Sequence, residues 1–554
     1  MEIVQFLRAS VSRIRTSGGS VFNFVLHPFL FALYPILAPL ASNIEEVPLE
    51  DAYRAGLIAL LAAAIGLLAL TLILRNWHRA AFLTSIGVLL IASYGHIYSW
   101  LKPMTLGEFP IGRHRYLVPA IGLSLVLALW IALRIRNGPS ITTTLNLAAV
   151  VAVAIPIIAI GSHNVRLGLL QARRPTDSRQ TNSLLNISKD LRPPDIYYII
   201  LDAYARADVL QNRFGFDNSE FIDALKARGF YVADASETNY LRTILSVTSS
   251  LNMNYIPELG LDSLSDDFRL RLEEQLKDSI VRQQLEAAGY ITVAVSTSYA
   301  PTEIVTADYY LVPNMSNIEA LRAEGAFNAF ESVVLTNSIG QLLLDYNTLR
   351  GVSVANFIAS QLDNAKQIRR EIVLAAFDHL STISSIPGSK FIFVHIVSPH
   401  YPYLFGSNGE HLNYPEPLTL VEKQIIPGEE SWTGYRDQLL YINSRLLDAI
   451  DVILENSAEP PVILVQSDHG PATGLNWADP RDPYLSDRSA ILNAYFIPDH
   501  CQDSLYPEIS PVNSFRVVLN CSFGSALDLL PDQSFLDVDV PGGLKLVPLD
   551  EINR

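Results

Sequence analysis

The sequence contains no internal repeat, no low-complexity tract and neither nucleotide-loop signature, GxxxxGK[ST] or GxGxxG. Repeat architectures and phosphate-cradling glycine loops of those two kinds are therefore excluded. Cysteine is nearly missing. The 554 residues include two, Cys501 and Cys521. An oxidising compartment would permit one disulfide between them, and two separate buried thiols are the alternative. Basic residues are scarce in most of the chain. Residues 1–165 hold 11 Lys+Arg against 6 Asp+Glu, whereas the remainder holds 29 against 50. So acidic a remainder argues against nucleic acid or a bulk anionic polymer as partner.

Apolar residues, by contrast, make up 49% of the chain, and mean hydropathy is +0.23. The excess lies at the N-terminus. Five stretches read as membrane helices, at roughly 21–41, 54–74, 80–101, 116–135 and 143–161. Each has about 20 largely uncharged residues, enough to cross a hydrocarbon core. The second, GLIALLAAAIGLLALTLIL, is the clearest; Pro28, Pro35 and Pro39 interrupt the first. No small-residue cleavage pattern follows the first stretch, so a removed signal peptide does not fit. Arg8, Arg13 and Arg15 precede the first span; Arg75 and Arg79, then Arg134 and Arg136, lie in the second and fourth loops. The first loop is acidic, with Glu45, Glu46, Glu50 and Asp51. Lys102, Arg113 and Arg115 in the third loop run against the trend. The positive-inside rule places the N-terminus in the cytoplasm and, after five spans, the rest of the chain outside. The expectation is an integral, multi-pass protein of the cell (inner) membrane with an extracytoplasmic domain. Residues 1–161 form the transmembrane region. Residues 162–194 are a polar linker, with an interfacial helix possible at its start, and 195–554 form the outer domain.

In the outer domain, strands alternate with helices. Strands are expected at DIYYIILD, ending at Asp202, and at 230–236, 290–297, 390–400, 462–465 and 491–498. Helices are expected at about 218–228, 268–288, 318–345, 353–383, 430–456 and 510–524. This pattern indicates an α/β domain with a largely parallel central sheet.

The stretch PPVILVQSDHGP, residues 460–471, carries the most chemistry. Val462–Val465 is a short β-branched apolar run, as in a buried strand, and it leads into Asp468-His469-Gly470. A carboxylate and an imidazole there stand at the strand edge where open α/β sheets bind ligands, and they make a metal-binding pair. The alternative is a polar strand end opening a loop. Asp202 ends the first strand and suits a metal or an N-cap. Thr243, in NYLRTILS, falls where a helix starts. There it can hold phosphate on free N–H groups, act as a nucleophile, or simply cap the helix. Thr248, Ser249 and Ser250 are rival nucleophiles. His400 precedes an aromatic, proline-bearing loop typical of a pocket lip. His395 lies inside the strand, as a substrate contact or a core histidine. Arg242, His411 and Asn476 are further candidates for a second metal or substrate contacts. Asp202, Asp468 and His469 around one divalent ion, with Thr243 presented to it, form a coherent phosphoryl-transfer site, and His400 could protonate the leaving oxygen.

Together, ILDAYARAD, RTILS, SPHYPY and QSDHG, beneath five N-terminal spans, resemble the alkaline-phosphatase/sulfatase superfamily. The similarity is to its membrane branch, which includes lipoteichoic acid synthases and phosphoethanolamine transferases. The resemblance implies a sulfatase-like fold and an enzyme. It implies a divalent ion (Mn, Zn, Mg or Ca) on Asp202, Thr243, Asp468 and His469, with Thr243 as nucleophile. His400 would meet the head group or leaving group, and Arg242 and His395 would contact substrate. The C/S-x-P-x-R motif of true sulfatases is absent. The expected activity is a phosphotransferase with a membrane phospholipid donor and a cell-surface glycan, lipid or polymer acceptor. The alternatives are a sulfatase-like phosphoester or sulfate-ester hydrolase and a catalytically inactive binding module.

Overall fold

The structure is a computed structural model describing residues 24–44, 47–102, 104–107, 109–172, 185, 193–261, 263, 268–345, 353–412, 429–476, 479, 481–540 and 543–552. The chain divides into two units, Met1–Asp177 with Ala326–Leu362, and Ser178–Gly325 with Asp363–Arg554. The first unit thus takes in a second segment, from a region expected to belong wholly to the outer domain.

The first unit is helical: α1 (His27–Ser42), α2 (Tyr53–Leu74), α3 (Trp77–Leu101), α4 (His114–Arg134) and α5 (Gly138–Ala172). The last four are long and apolar enough to cross a membrane. α1 is apolar but has only 16 residues, with Pro35 and Pro39 inside it, and residues 21–23 of the expected first span lie outside the described residues. The backbone N–H groups at the start of α1 donate to Asn146 Oδ1 on α5, at 3.1 Å from Leu26 and 2.9 Å from His27. Those N–H groups have no partner within their own helix, and hydrocarbon offers none. Large apolar side chains such as Leu72, Leu123 and Ile155 point outward, as a lipid-facing surface requires. Within this unit the helix Ala329–Asn337 is fastened by a bidentate Arg54–Glu331 ion pair and by its own capping box, Asn328 with Glu331. The expected linker begins as a continuation of α5 to Ala172. Residues 173–184 and 186–192 lie outside the described residues.

The second unit is built on a seven-stranded sheet. In chain order the strands are β1 (Ile196–Leu201), β2 (Tyr231–Val232), β3 (Ile291–Val295), β4 (Tyr309–Leu311), β5 (Lys390–Ile396), β6 (Val462–Gln466) and β7 (Asn493–Phe496). Their spatial order is β2-β7-β6-β1-β5-β3-β4. The pairs from β6 to β4 are parallel; β7 and β2 join antiparallel at one edge. Every residue of β1, β5 and β6 is buried, which is why these strands read as continuous apolar runs. Side chains alternate between faces. Tyr197, Ile199 and Leu201 of β1 pack into the core beneath α7 (Ser353–Leu380) and α8 (Glu429–Asn456). Ile196, Tyr198 and Ile200 pack beneath α6 (Thr243–Asn252) and α9 (Pro511–Phe523). β1 lies centrally, with Leu201 level with Ile396 and Ile200 level with Gln466, so Asp202, the 397–400 segment and Asp468-His469 all leave the sheet at one edge.

Several local expectations differ from the structure. The helix expected at 268–288 is two, Phe268–Lys277 and Ile280–Ala287, because Ser279 caps the second through the Arg282 N–H. The helix expected at 318–345 is three. The short strand β4 and a hairpin, β8 (Phe535–Val540) with β9 (Gly543–Pro548), had no counterpart in the sequence reading. Cys501 and Cys521 are joined, with Cα atoms 5.6 Å apart, tying the turn at Asp499–Ser504 to α9.

Candidate metal and nucleophile site

At the C-terminal edge of β1 the chain turns sharply. Ala203 takes φ 64°, left-handed for a residue with a side chain, and such conformations persist only where neighbours hold them. Here Ala203 N–H donates to Asp468 Oδ1 at 3.2 Å, and its carbonyl accepts from Tyr435 Oη at 2.7 Å. The turn leaves Asp202 buried and facing the end of β6. The segment after β6 is held as tightly. Asp468 Oδ1 also accepts from the His469 N–H at 2.9 Å, and Thr238 Oγ1 donates to the Asp468 carbonyl. At Gly470 an added Cβ would meet Asp487 O at 2.4 Å, so only glycine fits where this loop passes the next chain segment.

One ligand atom each from Asp202, His395 and Asp468 lies within 4.8 Å of the other two, and all three residues are buried. His395 Nε2 stands 3.3 Å from Asp202 Oδ2. Three buried atoms of this group, Asp202 Oδ1, Asp468 Oδ2 and His395 Nε2, have no hydrogen-bond partner. Buried polar atoms are nearly always satisfied, and leaving one unsatisfied costs about 1–3 kcal/mol. Three converging acceptors without a donor are what a cation requires. Two carboxylates and an imidazole suit a divalent ion. His395 therefore stands with the carboxylates, a placement its position inside a strand did not reveal. The signal that bears on it is Thr302, whose hydroxyl donates to Tyr299 O at 3.1 Å and lies 2.9 Å from His395 Nδ1. With its proton on Tyr299 O, Thr302 accepts from Nδ1–H, which leaves the lone pair on Nε2, toward the carboxylates.

His469 borders the same group. Its Nε2 is 3.3 Å from Asp468 Oδ2 and 3.9 Å from Asp202 Oδ1, spacings that atoms sharing one ion can adopt. Arg488 Nη2, which can only donate, lies 3.1 Å from Nε2, and Nδ1 faces Gly470 O at 3.0 Å. The proton is thus on Nδ1 and the lone pair on Nε2. Thr243 Oγ1 is 3.2 Å from the same Nε2. Thr243 is the first residue of α6, after Arg242 in extended conformation, so its hydroxyl lies beside backbone N–H groups that have no partner within the helix. Arg488, unmarked by any sequence motif, joins these pieces: Nε donates to Leu241 O at 2.9 Å and Nη1 to Gly470 O at 3.0 Å.

Charge follows the geometry. Burial pushes the Asp202 carboxyl up, but the imidazoles of His400, His395 and His469, which favour its ionised form whenever they are protonated, outweigh it and hold the group below the usual carboxylate range. His400 is buried, with its ring centroid 6.5 Å from that of His469 and its Nδ1 donating to Tyr401 O. The other sequence candidates are placed differently. Arg242 pairs with Asp537 of β8. Thr248, Ser249 and Ser250 lie further into α6, donating to Ile244 O, Asn254 O and Pro511 O. His411 faces Asp363 at 3.5 Å, and Asn476 is in an exposed turn whose N–H meets Asp482.

No protein-family model matches the chain, and no curated protein sequence matches it. Solved structures do. The C-terminal periplasmic domain of EcEptC from Escherichia coli, in complex with Zn, is 13% identical with a TM-score of 0.40, over 66% of this chain and 96% of that one. The integral membrane protein lipooligosaccharide phosphoethanolamine transferase A (EptA) from Neisseria meningitidis is 12% identical with a TM-score of 0.38, over 89% of this chain and 94% of that one. A protein in the alkaline phosphatase superfamily from Vibrio parahaemolyticus is 12% identical with a TM-score of 0.36, over 65% and 78%. Both measures are low, and the functional reading rests on the chain's own residues.

Proposed function

We propose that this chain is a membrane-bound, metal-dependent phosphotransferase. In this reading it moves a phospho-head group from a phospholipid to an acceptor in the cell envelope by way of a phospho-threonine at Thr243, with the α/β unit outside the cell membrane. The observation that carries the reading is the convergence of three unpartnered buried ligand atoms, from Asp202, Asp468 and His395, beside a threonine at a helix start. Asp202, Asp468, His395 and His469 would hold a divalent cation, with Thr243 beside it. Bound there, the ion would lower the pKa of the Thr243 hydroxyl and offset charge on phosphoryl oxygens.

The rest is the work of side chains. Thr243 Oγ1 attacks phosphorus and releases its proton to solvent; the bond from phosphorus to the lipid oxygen breaks, and His400 gives that oxygen a proton. An acceptor hydroxyl then attacks the phosphorus of the phospho-threonine, losing its proton to His400; the bond from phosphorus to Thr243 Oγ1 breaks, and that oxygen takes a proton back from solvent. The N–H groups at the start of α6 stabilise the charge that develops on the phosphoryl oxygens. Apolar helices in the same chain tether the site to the bilayer that supplies the donor.

The test is metal content and head-group transfer in the detergent-solubilised full chain. Wild type should retain a divalent ion after dialysis and move a labelled head group from phospholipid, and a chelator should stop the transfer. Asp468→Asn should lose both. An Asp468→Asn protein with unchanged metal content and turnover would sink the assignment.

A further inference from the structure

α7 precedes β5 in a parallel crossover, so it runs antiparallel to the strands, and its earlier turns lie over their C-terminal edge. Arg369, Val373, Ala376, Phe377 and Leu380 recur at helical spacing on one buried face. From Val373 onward that face is apolar and belongs to the core with Ile392 and Val394 of β5. One turn earlier, at the sheet edge, it becomes cationic: Lys366 and Arg369 are each 5% exposed and Arg370 8%. Arg370 is largely employed, although its Nε is buried without a hydrogen-bond partner. It donates to Leu404 O at 2.5 Å and Gly409 O at 2.9 Å, and its guanidinium stacks 4.4 Å from the centre of the Phe405 ring. It thereby pins the loop that follows His400 against the helix.

Arg369 is different. Its Nη2 is buried without a hydrogen-bond partner, and no carboxylate among the described residues forms an ion pair with it. Burial pushes the guanidinium down to about 10 and the Asp202 carboxylate acts against that shift, so Arg369 is charged at neutral pH and within electrostatic reach of the site. A buried cation with an unused N–H is costly unless something anionic meets it. The carboxylates of Asp202 and Asp468 offer oxygens to a cation; for an anion, Arg369 Nη2 adds a charged donor to the Ser398 hydroxyl, also buried without a partner, and to the N–H groups at the start of α6. A guanidinium matches phosphate oxygens in a fork of N–H groups.

We propose that Arg369 is the anion-recognising residue of this site, binding a non-bridging oxygen of the phosphoryl group on which Thr243 acts. The proposal rests on the phosphotransferase reading for the identity of the anion. The test uses inorganic phosphate as probe on the zinc-loaded full chain in detergent, with binding followed by calorimetry, and KM and kcat measured on phospholipid. Arg369→Gln should weaken phosphate binding and raise KM about 10–100-fold, as loss of a charged hydrogen bond does, at wild-type zinc content and melting temperature. Arg369→Lys, which keeps the charge but not the fork, should fall between. Unchanged phosphate affinity in Arg369→Gln would mean that only water meets the guanidinium. That would overturn the proposal and leave the phosphotransferase reading intact. Should Arg369→Gln not fold, Arg369→Lys decides, and affinity equal to wild type refutes. A wild type that turns over but binds no phosphate also counts against Arg369, whereas turnover by Thr243→Ala strikes the phosphotransferase reading alone.

Discussion

Thr302→Val removes one hydroxyl and almost no volume, and it tests whether His395 is a metal ligand. Thr302 is fully buried, and its Oγ1 lies 2.9 Å from His395 Nδ1, 3.1 Å from Tyr299 O and 3.0 Å from Thr297 Oγ1. Valine leaves the Nδ1–H without an acceptor, which costs about 1–3 kcal/mol. The ring then has reason to turn or to change tautomer, and either movement takes the Nε2 lone pair away from Asp202 and Asp468. Partners of this kind behind metal-bound histidines are worth about 10–100-fold in affinity. A tenfold loss removes about 1.4 kcal/mol of stabilisation at a fixed excess of ion. The assay is thermal unfolding of chelator-stripped full-length protein across a zinc titration, for wild type, Thr302→Val and Thr302→Ser. The stripped valine variant should melt lower than wild type and gain less from zinc, with its titration midpoint shifted at least tenfold. Serine should restore most of both. A valine variant that melts lower yet shows an unshifted zinc midpoint would refute the reasoning, since Thr302 would then support the fold and leave the metal site untouched.

Two further outcomes follow from the same geometry. His400→Gln should keep metal content and lower kcat on the order of 10²–10⁴, the usual scale for loss of a general acid, with less effect on a donor whose leaving group needs no proton. Turnover equal to wild type would remove His400 from the chemistry. Cys501→Ser should destabilise the chain by about 3 kcal/mol, because the bond closes a loop of sequence separation 20, and the loss should appear as a lower melting temperature matched by mild reduction of wild type.

The parts of the fold that could be read from sequence are those whose burial leaves a continuous apolar run. β1, β5 and β6 are buried on both faces, and Asp202 and Asp468 mark where those runs stop. The hairpin β8–β9 alternates polar and apolar residues near the C-terminus, a weaker pattern in FLDVDV and GLKLVP. The site was legible where its residues sit beside one another or at an element boundary, as with Asp468-His469 and Thr243. His395 was ambiguous because a candidate ligand inside a strand looks like a core histidine, and the hydroxyl 2.9 Å from its Nδ1 comes from Thr302, 93 residues away. Arg488 acts through carbonyls at Leu241 and Gly470, and a contact to backbone leaves no residue-type signature at the other end. Arg369 was hidden for a similar reason. An arginine in the run Lys366-Gln367-Ile368-Arg369-Arg370 reads as solvated until the apolar residues at helical spacing from Arg369 show that its face is the buried one.

The most direct test of the account is the mass of the peptide containing Thr243 after the purified full chain is incubated with zinc and phospholipid in the absence of acceptor, then quenched in acid. The account predicts that Thr243 carries the phospho-head group of the lipid supplied, that the mass of the adduct follows the head group when the lipid is changed, and that Asp468→Asn shows none. Steady release of head group by a wild-type enzyme whose Thr243 is never modified, with Thr243→Ala equally active, would contradict it.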